Sequence, residues 1–162
     1  MRVLDTAALL HWPVDRCRGG IVAISQQVEL LRVDEQRSML MESASLDWQV
    51  PLETALQQAR EIASETGDLP RLSSVDLDVL ALAIDLNLTL VTDDYRMKNV
   101  ARKAGIAVEG VLTTGGKKQW KWILRCIGCR AEEDVPSNAK QSKKDDVQLC
   151  DRCGSPMKLK KG

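Results

Sequence analysis

Short apolar runs alternate with amphipathic stretches through the first 112 residues of the chain. Arg2-Val3-Leu4 reads as a short strand that meets Asp5, and Asp5-Thr6 can begin a helix through Ala7, Ala8, Leu9 and Leu10. Arg18-Gly19-Gly20 is a turn, and residues 21–24 form a second apolar strand. Ser25 stands as the N-cap of a helix carrying Val28, Leu31 and nearby apolar residues. Residues 46–50 predict a strand stopped by Pro51. From Leu52 onward, apolar side chains recur at Ala55, Leu56, Ala59, Ile62 and Ala63, a helical period that Gly67 ends. After a loop over 68–72, Ser73 or Ser74 caps a strongly apolar helix to about Leu86. Residues 88–91 read as a buried strand, Asp93-Asp94 start a helix that runs to Lys103 and closes at Gly105, and residues 106–111 form a last strand.

Strands that alternate with helices predict an α/β fold, a central parallel sheet flanked by helices on both faces. In such sheets ligands bind at the carboxyl ends of the strands. The pattern stops at Thr113-Thr114-Gly115-Gly116, which reads as a hinge. Residues 1–112 are thus expected to form one domain, 113–122 a linker and 123–162 a small second module. The longest apolar run, Val79 to Ile84, is six residues, against about 20 needed to cross a bilayer. The start of the chain lacks a signal-peptide core, so a cytoplasmic protein with no membrane partner is expected.

Charge sharpens the division. The chain carries 23 Lys+Arg and 23 Asp+Glu, but residues 1–116 hold 11 against 17 and residues 117–162 hold 12 against 6. An acidic piece is joined to a basic one, and a basic tail is the electrostatic footprint of nucleic-acid binding. Lys117-Lys118-Gln119-Trp120-Lys121-Trp122 interleaves basic and aromatic residues. Trp120 and Trp122 lie two apart on the strand leading into the cysteines and can share one face, to stack on unpaired bases or to seal a contact within the protein.

Four of the five cysteines form two C-x2-C pairs, Cys126/Cys129 and Cys150/Cys153, with 20 residues between them. In a cytosolic chain this spacing favours a metal over disulfides. Two tight knuckles aim four thiolates at one point, and a shell closed by four cysteines leaves no place for water, so the zinc it predicts is structural. Residues 117–162 hold too few aliphatic side chains to build a core unaided, and should unfold without the ion. Cys17 stands apart and is expected to pack as a small apolar group.

Acidic residues fall where strand ends could gather them: Asp5, Glu29, Asp76 and the pair Asp93-Asp94. Carboxylates brought together repel one another, and hard cations such as Mg²⁺ or Mn²⁺ relieve that repulsion. Each residue also has a plainer use. Asp76 stands at a capping-box distance from Ser73, Asp93 or Asp94 could be simple N-caps, and Glu29 could be solvated. Asp78, about 200° around the helix from Asp76, is expected to face solvent. With one histidine, His11, a paired-histidine ribonuclease mechanism is excluded.

Arg2-Val3-Leu4-Asp5-Thr6, the run from Leu72 to Ala83 around Asp76, and Val91-Thr92-Asp93-Asp94-Tyr95 resemble the acidic motifs of PIN-domain ribonucleases. The continuation Arg96-Met97-Lys98-Asn99-Val100-Ala101, with a four-cysteine ribbon after it, is similar to the archaeal Nob (NIN-one-binding) family. The resemblance implies a PIN-like domain with a C-terminal zinc ribbon. It implies a metal-dependent endoribonuclease that cuts small-subunit precursor rRNA near its 3′ end, in pre-ribosomal particles with their assembly factors. It carries over Asp5, Asp76 and Asp94 as ligands of Mg²⁺ or Mn²⁺, with Asp93 assisting. The second acidic motif departs from the family pattern at Gln26 and Gln27; Glu29 is the choice there, with Glu35 and Glu42 behind it. Arg96, Lys98, Lys117, Lys118, Trp120, Lys121 and Trp122 are the candidate RNA contacts, and Arg102 and Lys103 could also hold phosphates. The competing reading is a non-catalytic RNA- or ribosome-binding adaptor with a degenerate site.

Overall fold

The computed structural model describes residues 1–112, 119–143 and 146–162. The hinge expected over 113–116, and Lys117 and Lys118, lie outside the described residues. In chain order the first 112 residues form β1 (Arg2–Leu4), α1 (Thr6–His11), α2 (Val14–Cys17), β2 (Ile21–Ala23), α3 (Gln26–Val33), α4 (Glu35–Glu42), β3 (Asp47–Gln49), α5 (Glu53–Thr66), a 3₁₀ turn (Leu69–Arg71), α6 (Ser74–Leu86), β4 (Thr89–Val91), α7 (Tyr95–Lys103) and β5 (Val108–Glu109).

The five strands make one parallel sheet in the order β3-β2-β1-β4-β5. Successive side chains of a strand alternate between its faces, and both faces are apolar. Val3, Ile21, Ala23 and Leu90 enter the core under α5, α6 and α7. Leu4, Val22 and Val91 enter the core built with Ala8, Leu9 and Trp12 of the α1 region, Leu30 and Met41. The α6 helix is apolar nearly all round because it is enclosed: it packs on β1, β2 and β4 and also on α5 and α7.

The strand order fixes where a ligand can sit. From β1 the chain builds outward through β2 to β3, then returns across α5 and α6 to lay β4 on the other side of β1. The connections therefore diverge between β1 and β4, leaving a crevice at the carboxyl ends of those two strands. Register places Leu4 beside Val91, so Asp5 and Thr92 leave the sheet side by side.

Local differences from the sequence pattern have local causes. The single helix expected after Ser25 is two, because Asp34 is extended (φ −154°). Its N–H still closes α3 on the Leu30 carbonyl, while its carboxylate accepts the Arg37 N–H at 3.0 Å and caps α4. Val28 and Leu31, expected to be apolar anchors, are exposed, and Leu30 is the apolar residue α3 buries. The last strand is only two residues long, at the sheet edge.

Residues from 122 onward form a second, antiparallel sheet of β6 (Trp122–Cys126), β7 (Glu132–Glu133), β8 (Asp146–Leu149) and β9 (Pro156–Lys161), in the order β7-β6-β9-β8. It does not stand apart. Leu124, Val135, Met157 and Leu159 belong to the same apolar cluster as α5, α6 and α7.

A polar joint adds direction to that contact. Asn99, buried on α7, donates to the Trp120 carbonyl (2.9 Å) and accepts from the Trp120 N–H (2.8 Å), as a strand residue would. The same amide donates to the carboxylate of Asp68 at 2.6 Å. Asp68 is fully buried and also faces Arg96 at 3.3 Å, whose guanidinium lies 4.7 Å from the centre of the Trp122 ring. A buried carboxylate is tolerated only when it is paired and hydrogen-bonded in this way.

Gly67 closes α5 in the left-handed conformation (φ +79°), and a Cβ there would lie 1.9 Å from the Trp122 carbonyl oxygen. Gly105 has a similar φ of +77° but open space around it. Gly105→Ala should therefore cost only the conformational strain, about 1–2 kcal/mol. Gly67→Ala should cost clearly more and shift tryptophan emission to the red as the ribbon is displaced. Equal losses in urea unfolding would show that the ribbon does not rest on Gly67.

Candidate active site and cysteine cluster

The crevice between β1 and β4 is lined by carboxylates that double as helix caps. Asp5 caps α1, its Oδ1 accepting the Thr6 N–H at 2.8 Å. Asp94 caps α7, accepting from the N–H groups of Arg96 (2.8 Å) and Met97 (3.2 Å). Asp76 completes a capping box at the start of α6: its Oδ2 accepts the Ser73 N–H at 2.9 Å while its own N–H donates to Ser73 Oγ. Capping explains why these residues occupy helix N-termini, where partial positive charge favours a carboxylate. It does not explain why three such caps lie near enough to feel one another's charge.

Thr92 ties two of them together. Its buried hydroxyl donates to Asp5 Oδ2 at 2.7 Å and accepts the Asp94 N–H at 3.0 Å. Glu29 joins from α3, its Oε2 accepting the Thr6 hydroxyl at 2.9 Å. Gln26, the departure in the second acidic motif, is fully buried and serves the backbone. Its Oε1 accepts the Ala23 N–H, and its Nε2 donates to the Leu4 carbonyl and approaches the Thr6 hydroxyl. Gln26 thus laces the ends of β1 and β2 together.

The charges act on one another. Burial pushes the Asp5 carboxyl up to about 7; Asp76 and Asp94 push the same way, and the hydrogen bonds from Thr92 and Thr6 oppose them. Asp76 is raised by burial first, with Asp94 and Glu29 adding to it. Asp5, Glu29, Asp76 and Asp94 therefore form one electrostatic unit. Asp5 is buried and Asp94 exposed, so the unit runs from the interior of the domain to its surface.

The other candidate residues have partners or positions of their own. Asp93 turns away, both oxygens accepting backbone N–H groups of Val111 (2.8 Å) and Leu112 (2.9 Å), so it ties down the segment after β5. Glu35 and Glu42 line a separate groove between α3 and α4. Asp78 is half-buried and accepts the Ser25 hydroxyl at 2.7 Å rather than facing solvent. Lys98 is 4% exposed, too enclosed for a phosphate contact. Arg96 and Trp122 belong to the joint with Asp68, and Lys161 lies 3.7 Å from the centre of the Trp120 ring. Lys121 is exposed and pairs with Asp134 at 3.0 Å. The sequence pattern gives Thr92 and Asn99 no role of their own and reads Gln26 only as a departure from the second acidic motif; the run Val91-Thr92-Asp93-Asp94-Tyr95 is the signal that contains Thr92.

In the ribbon, the sulfurs of Cys126, Cys129, Cys150 and Cys153 all lie within 4.8 Å of one another. Cys126 and Cys153 approach to 3.3 Å, and Cys129 and Cys150 to 3.6 Å. Four thiolates around zinc at about 2.3 Å stand roughly 3.8 Å apart, so the cluster has the size for one tetrahedral ion. The N–H groups of Gly128 and Cys129 point at Cys126 Sγ (3.3 and 3.4 Å), and the Ser155 hydroxyl and N–H hold the Cys153 thiol down to about 6. Both features favour thiolates. Cys17 is buried and donates weakly to the Ala8 carbonyl, as a packing residue does.

Comparison with known proteins agrees with this geometry. The family described as "PIN domain of ribonuclease" matches residues 2–86, which contain β1, the crevice residues Asp5, Glu29 and Asp76, and all of α6. The class is thereby defined: a PIN-domain nuclease, a metal-dependent hydrolase of RNA. The chain is 32% identical to Endoribonuclease Nob1 of Methanocaldococcus jannaschii over 164 residues, covering 99% of this chain and 77% of that one. It is 37% identical to Endoribonuclease Nob1 of Pyrococcus abyssi over 131 residues, covering 78% and 75%. It is also 32% identical to Ribonuclease VapC1 of Thermoplasma acidophilum, covering 96% and 76%. The chain belongs to the archaeal Nob family of PIN-domain endoribonucleases. Among the described residues no helix is long and apolar enough to cross a membrane.

The Asp5 carboxyl predicts a pH dependence of stability. Its ordinary value of 3.8 applies to the unfolded chain, and the folded value near 7 means that the fold favours the protonated form. Ionising Asp5 therefore destabilises the metal-free protein progressively as pH rises from about 4, and fully above about 7. Asp5→Asn should raise the melting temperature of metal-free protein at pH 8, with the advantage fading to nothing near pH 4. Saturating Mn²⁺ should close the gap at pH 8 by stabilising the wild type. A variant less stable than wild type at pH 8 without metal would contradict the assignment.

Proposed function

We propose that this endoribonuclease cuts small-subunit precursor rRNA near its 3′ end, in the cytoplasm, within pre-ribosomal particles. The observation that supports it most is the meeting of Asp5, Glu29, Asp76 and Asp94 at the β1/β4 crevice, in a chain that also carries the four-cysteine ribbon. Those four carboxylates would hold one or two Mg²⁺ or Mn²⁺ ions. A divalent ion there supplies Lewis-acid chemistry, lowering the pKa of an attacking water and stabilising charge on the leaving oxygen.

The protein's own part is placement. Thr92 fixes Asp5 relative to Asp94, Ser73 fixes Asp76, and Thr6 fixes Glu29, so the four carboxylates are set before RNA arrives. Such preorganisation avoids rearrangement during the reaction. Attack by water, rather than by the ribose 2′-hydroxyl, leaves a 3′-hydroxyl and a 5′-phosphate. Cys126, Cys129, Cys150 and Cys153 hold one structural zinc. The basic segment from Lys117 into the ribbon, including exposed Lys121, meets flanking phosphates and offsets the repulsion between RNA and the acidic domain.

The test is cleavage of a fragment spanning the 3′ end of the small-subunit rRNA, with Mn²⁺ and the full-length chain. Wild type should cut it. Asp76→Asn and Asp94→Asn should lose on the order of a hundredfold or more in rate while still binding. Asparagine can keep both caps, so a loss of stability would not explain the result. Binding without cutting, with metal and native particles supplied, would favour the adaptor reading. Elemental analysis should give one zinc per chain, lost in Cys126→Ser; a folded ribbon without zinc would refute that part.

A further inference from the structure

The protein has five aromatic residues, four tryptophans and Tyr95. Trp12 is buried, its Nε1 donating to the Val111 carbonyl. Trp48 is half-buried and lines the groove between α3 and α4. Trp120 and Trp122 are faced by Lys161 and Arg96. Tyr95 differs from all of them. It is 54% exposed, belongs to neither core, and its side chain makes no hydrogen bond and no ring contact among the described residues. It is the first residue of α7, immediately after Asp94, so its backbone lies at the carboxyl end of the sheet, about 3.8 Å along the chain from a residue of the acidic crevice. Nothing in the packing calls for a large ring there.

We propose that the Tyr95 ring is the platform on which an unpaired base next to the cut phosphate stacks. This rests on the reading of Asp5, Asp76 and Asp94 as the cleaving centre. The chemistry of the rim favours a base over a phosphate as the group held there. Asp94, Asp76 and Glu29 make the surroundings anionic, while a neutral ring can accept any nucleobase face. Proteins read single-stranded RNA by stacking splayed bases on such rings, and one stack changes affinity on the order of tenfold or more. The ring would thereby select single-stranded sites and fix the nucleotide beside the crevice.

The test is a cycle between the ring and the base, on a short single-stranded RNA containing the cut site. Binding is read by fluorescence anisotropy with Mn²⁺ in the Asp5→Asn background, which does not cut; cleavage is read in the otherwise wild-type chain. Tyr95→Ala should weaken binding and raise KM about tenfold with kcat nearly unchanged, whereas Tyr95→Phe should behave as wild type. An abasic nucleotide is then placed in turn at each position flanking the cut. At one position it should cost the Tyr95 protein about tenfold and cost Tyr95→Ala nothing further. Additive losses at every position, or Tyr95→Phe failing like Tyr95→Ala, would overturn the proposal. If the wild-type chain binds the RNA but never cuts it, the cleavage reading fails while the binding cycle still decides the role of the ring.

Discussion

The hydroxyl of Thr92 links the carboxylate of Asp5 to the backbone of Asp94, and the arrangement of the crevice depends on it. Thr92 donates a hydrogen bond to Asp5 and accepts one from the Asp94 N–H, so a single buried side chain sets the ends of β1 and β4 against each other. Parallel pairing of the two central strands brings the residues to the same level. The divergence of connections on either side then leaves that level open to solvent. The charged site is therefore a consequence of strand order, with Thr92 as the link that holds it in register.

The same carboxylates serve two ends. As helix caps they stabilise α1, α6 and α7 without any metal, by about a kcal/mol each. Burial raises the Asp5 and Asp76 carboxyls, and the neighbouring carboxylates add a smaller push in the same direction. In the function proposed above, a bound cation would offset that cost and leave the caps in place.

The ribbon is held to the nuclease fold by more than a linker. Asn99 pairs with the Trp120 backbone as if α7 supplied one rung of a sheet, and Asp68 beneath it fixes both Asn99 and Arg96. Because Asp94 caps the start of α7, ribbon and crevice share one helix. The basic and aromatic residues at the ribbon entrance, which in isolation suggest RNA contacts, are partly used in building this joint.

Much was legible from the chain alone. Alternating apolar runs and helical periods determined the parallel α/β sheet, because burial on both faces of a strand leaves a continuous apolar signature. The two C-x2-C knuckles determined the four-sulfur cluster, since their short spacers leave the thiols few other directions. Asp5, at the end of a central strand, and Asp76 and Asp94, at helix starts, could be picked out because cap positions have sequence signatures. Tertiary structure decided what has no local signature. Asp93 and Asp94 are neighbours of identical chemistry, and only the path of the chain beyond β5 turns the first toward the Val111 and Leu112 amides and leaves the second at the crevice. Gln26, Thr92 and Asn99 likewise take their meaning from partners 20 to 87 residues away, and contacts across such distances are set by packing, not by the pattern around each residue.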